Sequence, residues 1–108
     1  MINPQRFGTR FNNSSITSAS GSTSITRAAS AGRTYYITDL GASAAASTAT
    51  IQIKSSGTVF WDARLGDVAY EKTFQTPIAI NNGSAFTVQM DTGGNGSVSI
   101  NVSGFYLE

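Results

Sequence analysis

Side chains able to do acid–base or nucleophilic chemistry are scarce in this chain. It has no cysteine and no histidine, which removes the commonest general base, the commonest metal ligand and the usual partner of a nucleophilic Ser or Cys. A disulfide framework and a zinc–thiolate site are excluded by the same absence. Asp62, Asp67 and Glu71 are the only close-spaced carboxylates. Two of them could serve as an acid and base pair or hold a hard cation, but with Arg64 and Gly66 between them they read more simply as solvated loop charge. The run Asp91-Thr92-Gly93-Gly94-Asn95-Gly96 lacks the alternating side-chain oxygens and closing glutamate of a calcium loop. Turn chemistry accounts for it better. The expectation is a protein that is not an enzyme and carries no cofactor or metal.

Binding chemistry has more to work with. Phe60 with Trp61, and Tyr35 with Tyr36, offer amphipathic rings of the kind that stack on sugars. Neighbours in a strand point to opposite faces, however, so a flat platform would need rings from different strands. Arg6-Phe7 and Arg10-Phe11 repeat a cation and an aromatic four residues apart, a pattern suited to a segment that docks into grooves on another protein. Arg6, Phe7, Arg10 and Phe11 are therefore the candidate partner-binding residues. The competing reading is a frayed terminus without a partner. Arg6, Arg10, Arg27 and Arg33 face no acid before Thr34, so the front third is +4 and the rest −3 within a net charge of +1. Four arginines over that length are too sparse for a nucleic-acid surface.

The elements that must position these residues are short strands. The chain has 108 residues, one domain's worth, with 12% charged and 40% hydrophobic, and no helical periodicity runs through it. Val98, Ile100 and Val102 alternate with Ser97, Ser99, Asn101 and Ser103, and Phe86, Val88 and Met90 alternate with Thr87 and Gln89. Each run puts one face into a core. The glycine-rich stretch between them predicts a hairpin, and Ile51-Gln52-Ile53 with Val59-Phe60-Trp61 about Ser55-Ser56-Gly57 predicts another. Strands are expected at 22–29, 33–40, 48–54, 58–62, 69–75, 85–90 and 97–106, with 15–20 as a candidate eighth. Seven or eight strands at this spacing imply an antiparallel all-β sandwich, jelly-roll-like first and immunoglobulin-like second.

Residues 1–21 are dominated by Asn, Ser, Thr, Gly and Arg and hold too little apolar surface to offset their own ordering. They are expected to form an extended N-terminal arm, with the β-sandwich domain at 22–108. The N-terminus shows no signal peptide and no run is long enough to span a bilayer, so the reading is a protein made in a cytoplasm with no membrane partner.

With the strands placed, Gly32-Arg33-Thr34-Tyr35-Tyr36-Ile37-Thr38-Asp39, Gly57-Thr58-Val59-Phe60-Trp61, Phe74-Gln75-Thr76-Pro77 and Asn101-Val102-Ser103-Gly104-Phe105-Tyr106 resemble the small β-rich virion proteins of tailed bacteriophages. The resemblance covers residues 22–108 and rests on strand rhythm and the closing strand, not on a catalytic motif. It implies a jelly roll or related sandwich, often a homotrimer, that binds the major capsid protein or another virion protein. The implied role is a capsid decoration or cement protein on the outer surface of a phage head. A tail or fibre component that meets the host, and a carbohydrate-binding β-sandwich module, stand as alternatives. The implied location is the virion, after synthesis in the host cytoplasm.

Overall fold

The structure, a computed structural model, describes residues 8–17, 22–44, 49–65, 70–91 and 98–108. Among the described residues there are eight strands: β1 (Thr9–Thr17), β2 (Ser22–Arg27), β3 (Thr34–Ala44), β4 (Ala49–Ser55), β5 (Thr58–Leu65), β6 (Tyr70–Ala79), β7 (Phe86–Asp91) and β8 (Val98–Leu107). They form two four-stranded antiparallel sheets, β1-β8-β3-β6 (sheet A) and β2-β7-β4-β5 (sheet B). Every step along the chain changes sheet except β4 to β5. This interleaving is the eight-stranded jelly roll, the first of the two sandwiches expected from the sequence.

The core is made by the alternating faces. Ile51 and Ile53 of β4, Phe86, Val88 and Met90 of β7, and Val98, Ile100 and Val102 of β8 are all buried between the sheets. Burying a side chain of this size contributes roughly 1.5–3 kcal/mol, so this layer supplies most of the fold's driving force. At one end it becomes aromatic. Tyr35 packs edge-on against Phe11 and Phe86, with ring centroids 6.0 and 5.1 Å away, and its buried hydroxyl donates to the Ala28 carbonyl at 2.7 Å.

The β4–β5 hairpin forms as the sequence predicts. Its two turn residues, Ser56 (φ 51°) and Gly57 (φ 77°), both take the left-handed conformation that lets a two-residue turn match the twist of its strands. The second expected hairpin does not form. β7 pairs with β2 and β4, whereas β8 pairs with β1 and β3. The two alternating runs meet face to face across the core instead of edge to edge, and a glycine-rich connection serves either arrangement; residues 92–97 themselves lie outside the described residues.

Strand β3 is irregular on both of its sides. Its inward phase passes from Tyr35 and Ile37 to Leu40 and Ala42, because Thr38 is an extra residue against β8. Such a bulge shifts the alternation by one position. Thr38 stays buried by donating to the Ser103 carbonyl and to Asp39. On the other side of β3, the register with β6 steps from Ile37↔Ile78 to Asp39↔Thr73, so Phe74-Gln75-Thr76-Pro77 bows out of the sheet edge. Proline has no N–H to offer a ladder, and an edge bulge removes the need for one. That is why β6 runs past Pro77, where the sequence predicted an end at Gln75.

The N-terminal boundary also differs. Thr9–Thr17 pairs with β8 over nine consecutive positions, so an extended arm to residue 21 is corrected to an edge strand of sheet A that starts at Thr9. The expected eighth strand lies earlier in the chain than 15–20. Residues 1–7 and 18–21 lie outside the described residues.

Candidate interaction site

The two sides of the sandwich are finished differently. On one side β1 and β2 are tied together across the sheets: Ser15 and Thr23 share a hydrogen bond of 2.5 Å, and Arg27 donates to Asn13 Oδ1 at 2.8 Å. The Arg27 guanidinium lies over the Phe11 ring, 4.8 Å from its centroid, and 5.6 Å from that of Tyr35. Arg33 sits 3.9 Å over the Tyr106 ring and reaches Glu108 at 2.6 Å. Bonds to Tyr35 and Glu108 push the Arg33 pKa further up, so it stays charged throughout the accessible range. Half of the cationic excess read from the sequence is thus spent inside the fold as ring caps.

On the other side β5 and β6 are outer strands, unpaired among the described residues, and aromatic side chains fill the mouth between the sheets. Trp61 of β5 meets Phe74 of β6 at 5.4 Å, edge to face, and Tyr70 at 6.1 Å. Lys72 stands 5.8 Å from the Phe74 ring. All three rings are half-buried and pack on the core without being sealed by it. Trp61 and Tyr70 sit at inward register positions, opposite Ile53 and Ala42. Phe74 follows Thr73 into the bulge that bows outward. Val59, 44% exposed, lies beyond the extra residue Phe60 and pairs with Lys54 on the outer face of the sheet. Trp61→Ala should cost about 2 kcal/mol in a urea melt, roughly half of what a fully buried large aromatic costs. A loss as large as that of a core residue would mean that the ring is interior and unavailable to a partner.

A polar hollow lies beside this edge on the outer face of sheet A. Gly41 has no side chain, and the Asn101 amide from β8 lies across the space, 2.8 Å from where a Cβ would stand. Asp39, Glu71, Lys72, Thr73 and Asn101 line a depression of about 210 Å³. Asp39 is held there by two donors, Thr38 at 2.8 Å and Thr73 at 2.9 Å, while Asn101, Glu71 and Lys72 are exposed to solvent.

The residues singled out from the sequence are scattered by the fold. Arg6, Phe7 and Asp67 lie outside the described residues. Arg10 is exposed on the outer face of β1, but Phe11 is 7% exposed and belongs to the core. Phe11 is therefore corrected from a docking anchor to a packing residue. Asp62 is on sheet B and Glu71 on sheet A, and among the described residues no three acidic side chains converge on a common point. The adjacent aromatic pairs split as strand geometry requires: Tyr35 points inward, whereas Tyr36 stacks on Phe105 at 4.9 Å on the outer face. The trio Trp61, Tyr70 and Phe74 was not foreseen. Its members come from two strands in two sheets, and no local spacing signals that.

No family model matches the chain, and no curated protein matches it by sequence. Solved structures do. The nucleoplasmin-like N-terminal domain of Drosophila FKBP39 superposes with a TM-score of 0.52 at 8% identity, covering 94% of this chain and 92% of that one. The insecticidal delta-endotoxin Cry8Ea1 from Bacillus thuringiensis gives 0.51 at 13% identity, over 86% of this chain and 19% of the toxin. The carbohydrate-binding module CBM36 in complex with calcium and xylotriose gives 0.47 at 7% identity, over 88% and 87%. At these identities the likeness is one of fold: the chain is an all-β sandwich of two antiparallel sheets.

Proposed function

We propose that this chain is a virion structural protein, a decoration or cement protein that works by binding other proteins on the outer surface of a phage head. The observation that carries this reading is the outer face of sheet B. Three cross-strand rows lie on it: Thr26-Thr87-Lys54-Val59, Ser24-Gln89-Gln52-Asp62 and Asp91-Thr50-Arg64. Uncharged polar side chains fill six of these eleven positions, and the four charges are two of each sign. Such a face can be laid repeatedly against protein without accumulating repulsion, through hydrogen bonds and shape. Low intrinsic affinity per copy is then compensated by the many copies of a lattice.

A second reading, a carbohydrate-binding module, is favoured by the hollow over Gly41. Its Asn101 amide and Glu71 carboxylate present a donor and acceptors to a hydroxylated ligand, with Tyr70 on its border. One experiment separates these readings. In a phage encoding the chain, deletion of its gene should leave heads that release DNA at lower temperature, and intact particles should contain the protein in fixed ratio to the major capsid protein. Intact heads that fail to adsorb would move the protein to the tail or fibre. Saturable glycan binding by the isolated domain, lost in Glu71→Ala, would support the sugar reading instead.

A further inference from the structure

Among the described residues each sheet has two unpaired edges, and an unpaired edge strand is a template for another strand unless something blunts it. β6 is blunted by its four-residue bulge and Pro77. β1 and β2 are regular but carry a single kind of charge, Arg10 on one and Arg27 on the other. β5 is different. From Trp61 to Leu65 its register with β4 is unbroken, the bulge at Phe60 lying before it. On the outer face of this stretch Asp62 and Arg64 flank Ala63, and among the described residues neither has an ion-pair partner within the chain.

We propose that β5 pairs with β5 of a second copy, antiparallel about a two-fold axis through Ala63, joining two B sheets into one of eight strands. In that register position 63 faces position 63, so Asp62 of each copy lies directly opposite Arg64 of the other. The match is self-complementary, as an isologous contact must be, and it places two opposite-charge pairs on one face, each a stabilising cross-strand contact. A shift of two positions would set Asp62 against Asp62, or Arg64 against Arg64. A one-residue shift would put inward and outward side chains on the same side. The charges therefore select one register. The same axis sets the two Trp61 side chains, each at the mouth of its own sandwich, on either side of the contact. Homotrimers implied by resemblance to phage proteins would need a different, head-to-tail surface.

This contact concerns the chain's own association along the β5 edge and does not rest on the proposed virion role, although Asp62 and Arg64 also lie in the outer-face rows of sheet B. The test uses charge variants. Asp62→Arg and Arg64→Asp each place like charges opposite one another twice per dimer, and should weaken dimerisation roughly tenfold or more in sedimentation equilibrium. Both sites are exposed, so folding is retained and thermal melts check it. Mixed in equal amounts, the two variants should recover wild-type affinity as a heterodimer, because each introduced charge then faces an opposite one. Ala63→Cys adds the sole thiol to a chain without cysteine. Its copies meet at the axis, within the Cα separation of a directly opposed antiparallel pair, so mild oxidation should yield a covalent dimer. A wild-type monomer at high concentration, a trimer, or charge variants that associate normally would overturn the two-fold contact, and would leave attachment to particles as an independent question.

Discussion

Gly104→Ala should yield a chain that does not fold. Gly104 lies in β8, opposite Phe11 of β1 and Ile37 of β3, at an inward position where every other β8 residue of the same phase is large and apolar. A methyl group there would run into the Tyr36 carbonyl oxygen and stand 2.9 Å from Phe11 Cζ. Neither neighbour can retreat. The Tyr36 oxygen belongs to a strand laddered on both sides, and the Phe11 ring is fixed by Tyr35, Phe86 and the Arg27 guanidinium. Glycine is required here for space, as a strand glycine often is where backbone and ring approach closely. The overlap costs more than about 4 kcal/mol, against a total stability of roughly 5–15 kcal/mol for a domain. Gly41→Ala is the control. Its Cβ would meet only the exposed Asn101 side chain, which can rotate away, so circular dichroism should show a folded protein with a small change in Tm. If the two alanines melt alike, the Phe11 ring does not occupy the place assigned to it.

The same corner of the molecule explains what the sequence concealed. Alternation was legible wherever the inward residues are aliphatic, as in Val98-Ile100-Val102 or Ile51-Ile53, and the Ser56-Gly57 turn announced its hairpin. β1 gave no such signal. Its inward positions are Phe11, Asn13 and Ser15, and the two polar ones become acceptable only because Arg27 and Thr23 of the next strand satisfy them. A polar residue that is paired across sheets looks, in sequence, like a solvated one. The phase break in β3 is hidden for a related reason: Thr38 is compatible with either face until its bonds to Ser103 and Asp39 are known. The aromatic mouth and the hollow over Gly41 depend on which strands become neighbours, and strand order in a jelly roll is decided by long-range pairing that no window of sequence contains.

Deleting Met1 to Asn12 should unfold the domain or lower its Tm drastically, the reverse of what an arm would do. The deletion removes four of the nine positions at which β1 pairs with β8, and it takes away Phe11. Loss of a buried phenylalanine alone costs about 3–5 kcal/mol. Here the loss also opens a cavity against Tyr35 and Phe86, whose centroids lie 6.0 and 5.8 Å away, and strips the Arg27 guanidinium of the ring it covers. Phe11→Ala separates these effects: it keeps the ladder and should still lower Tm by roughly 15 °C or more, taking 4–8 °C per kcal/mol for a domain of this size. Arg10→Ala, on the exposed face of the same strand, should leave the melt unchanged. That variant, rather than the truncation, is the sound probe of docking by the N-terminal segment, because weaker attachment of a truncated chain would report only that it had unfolded. A truncated protein that melts like the full chain would return Thr9–Asn12 to the status of an arm and remove Phe11 from the core.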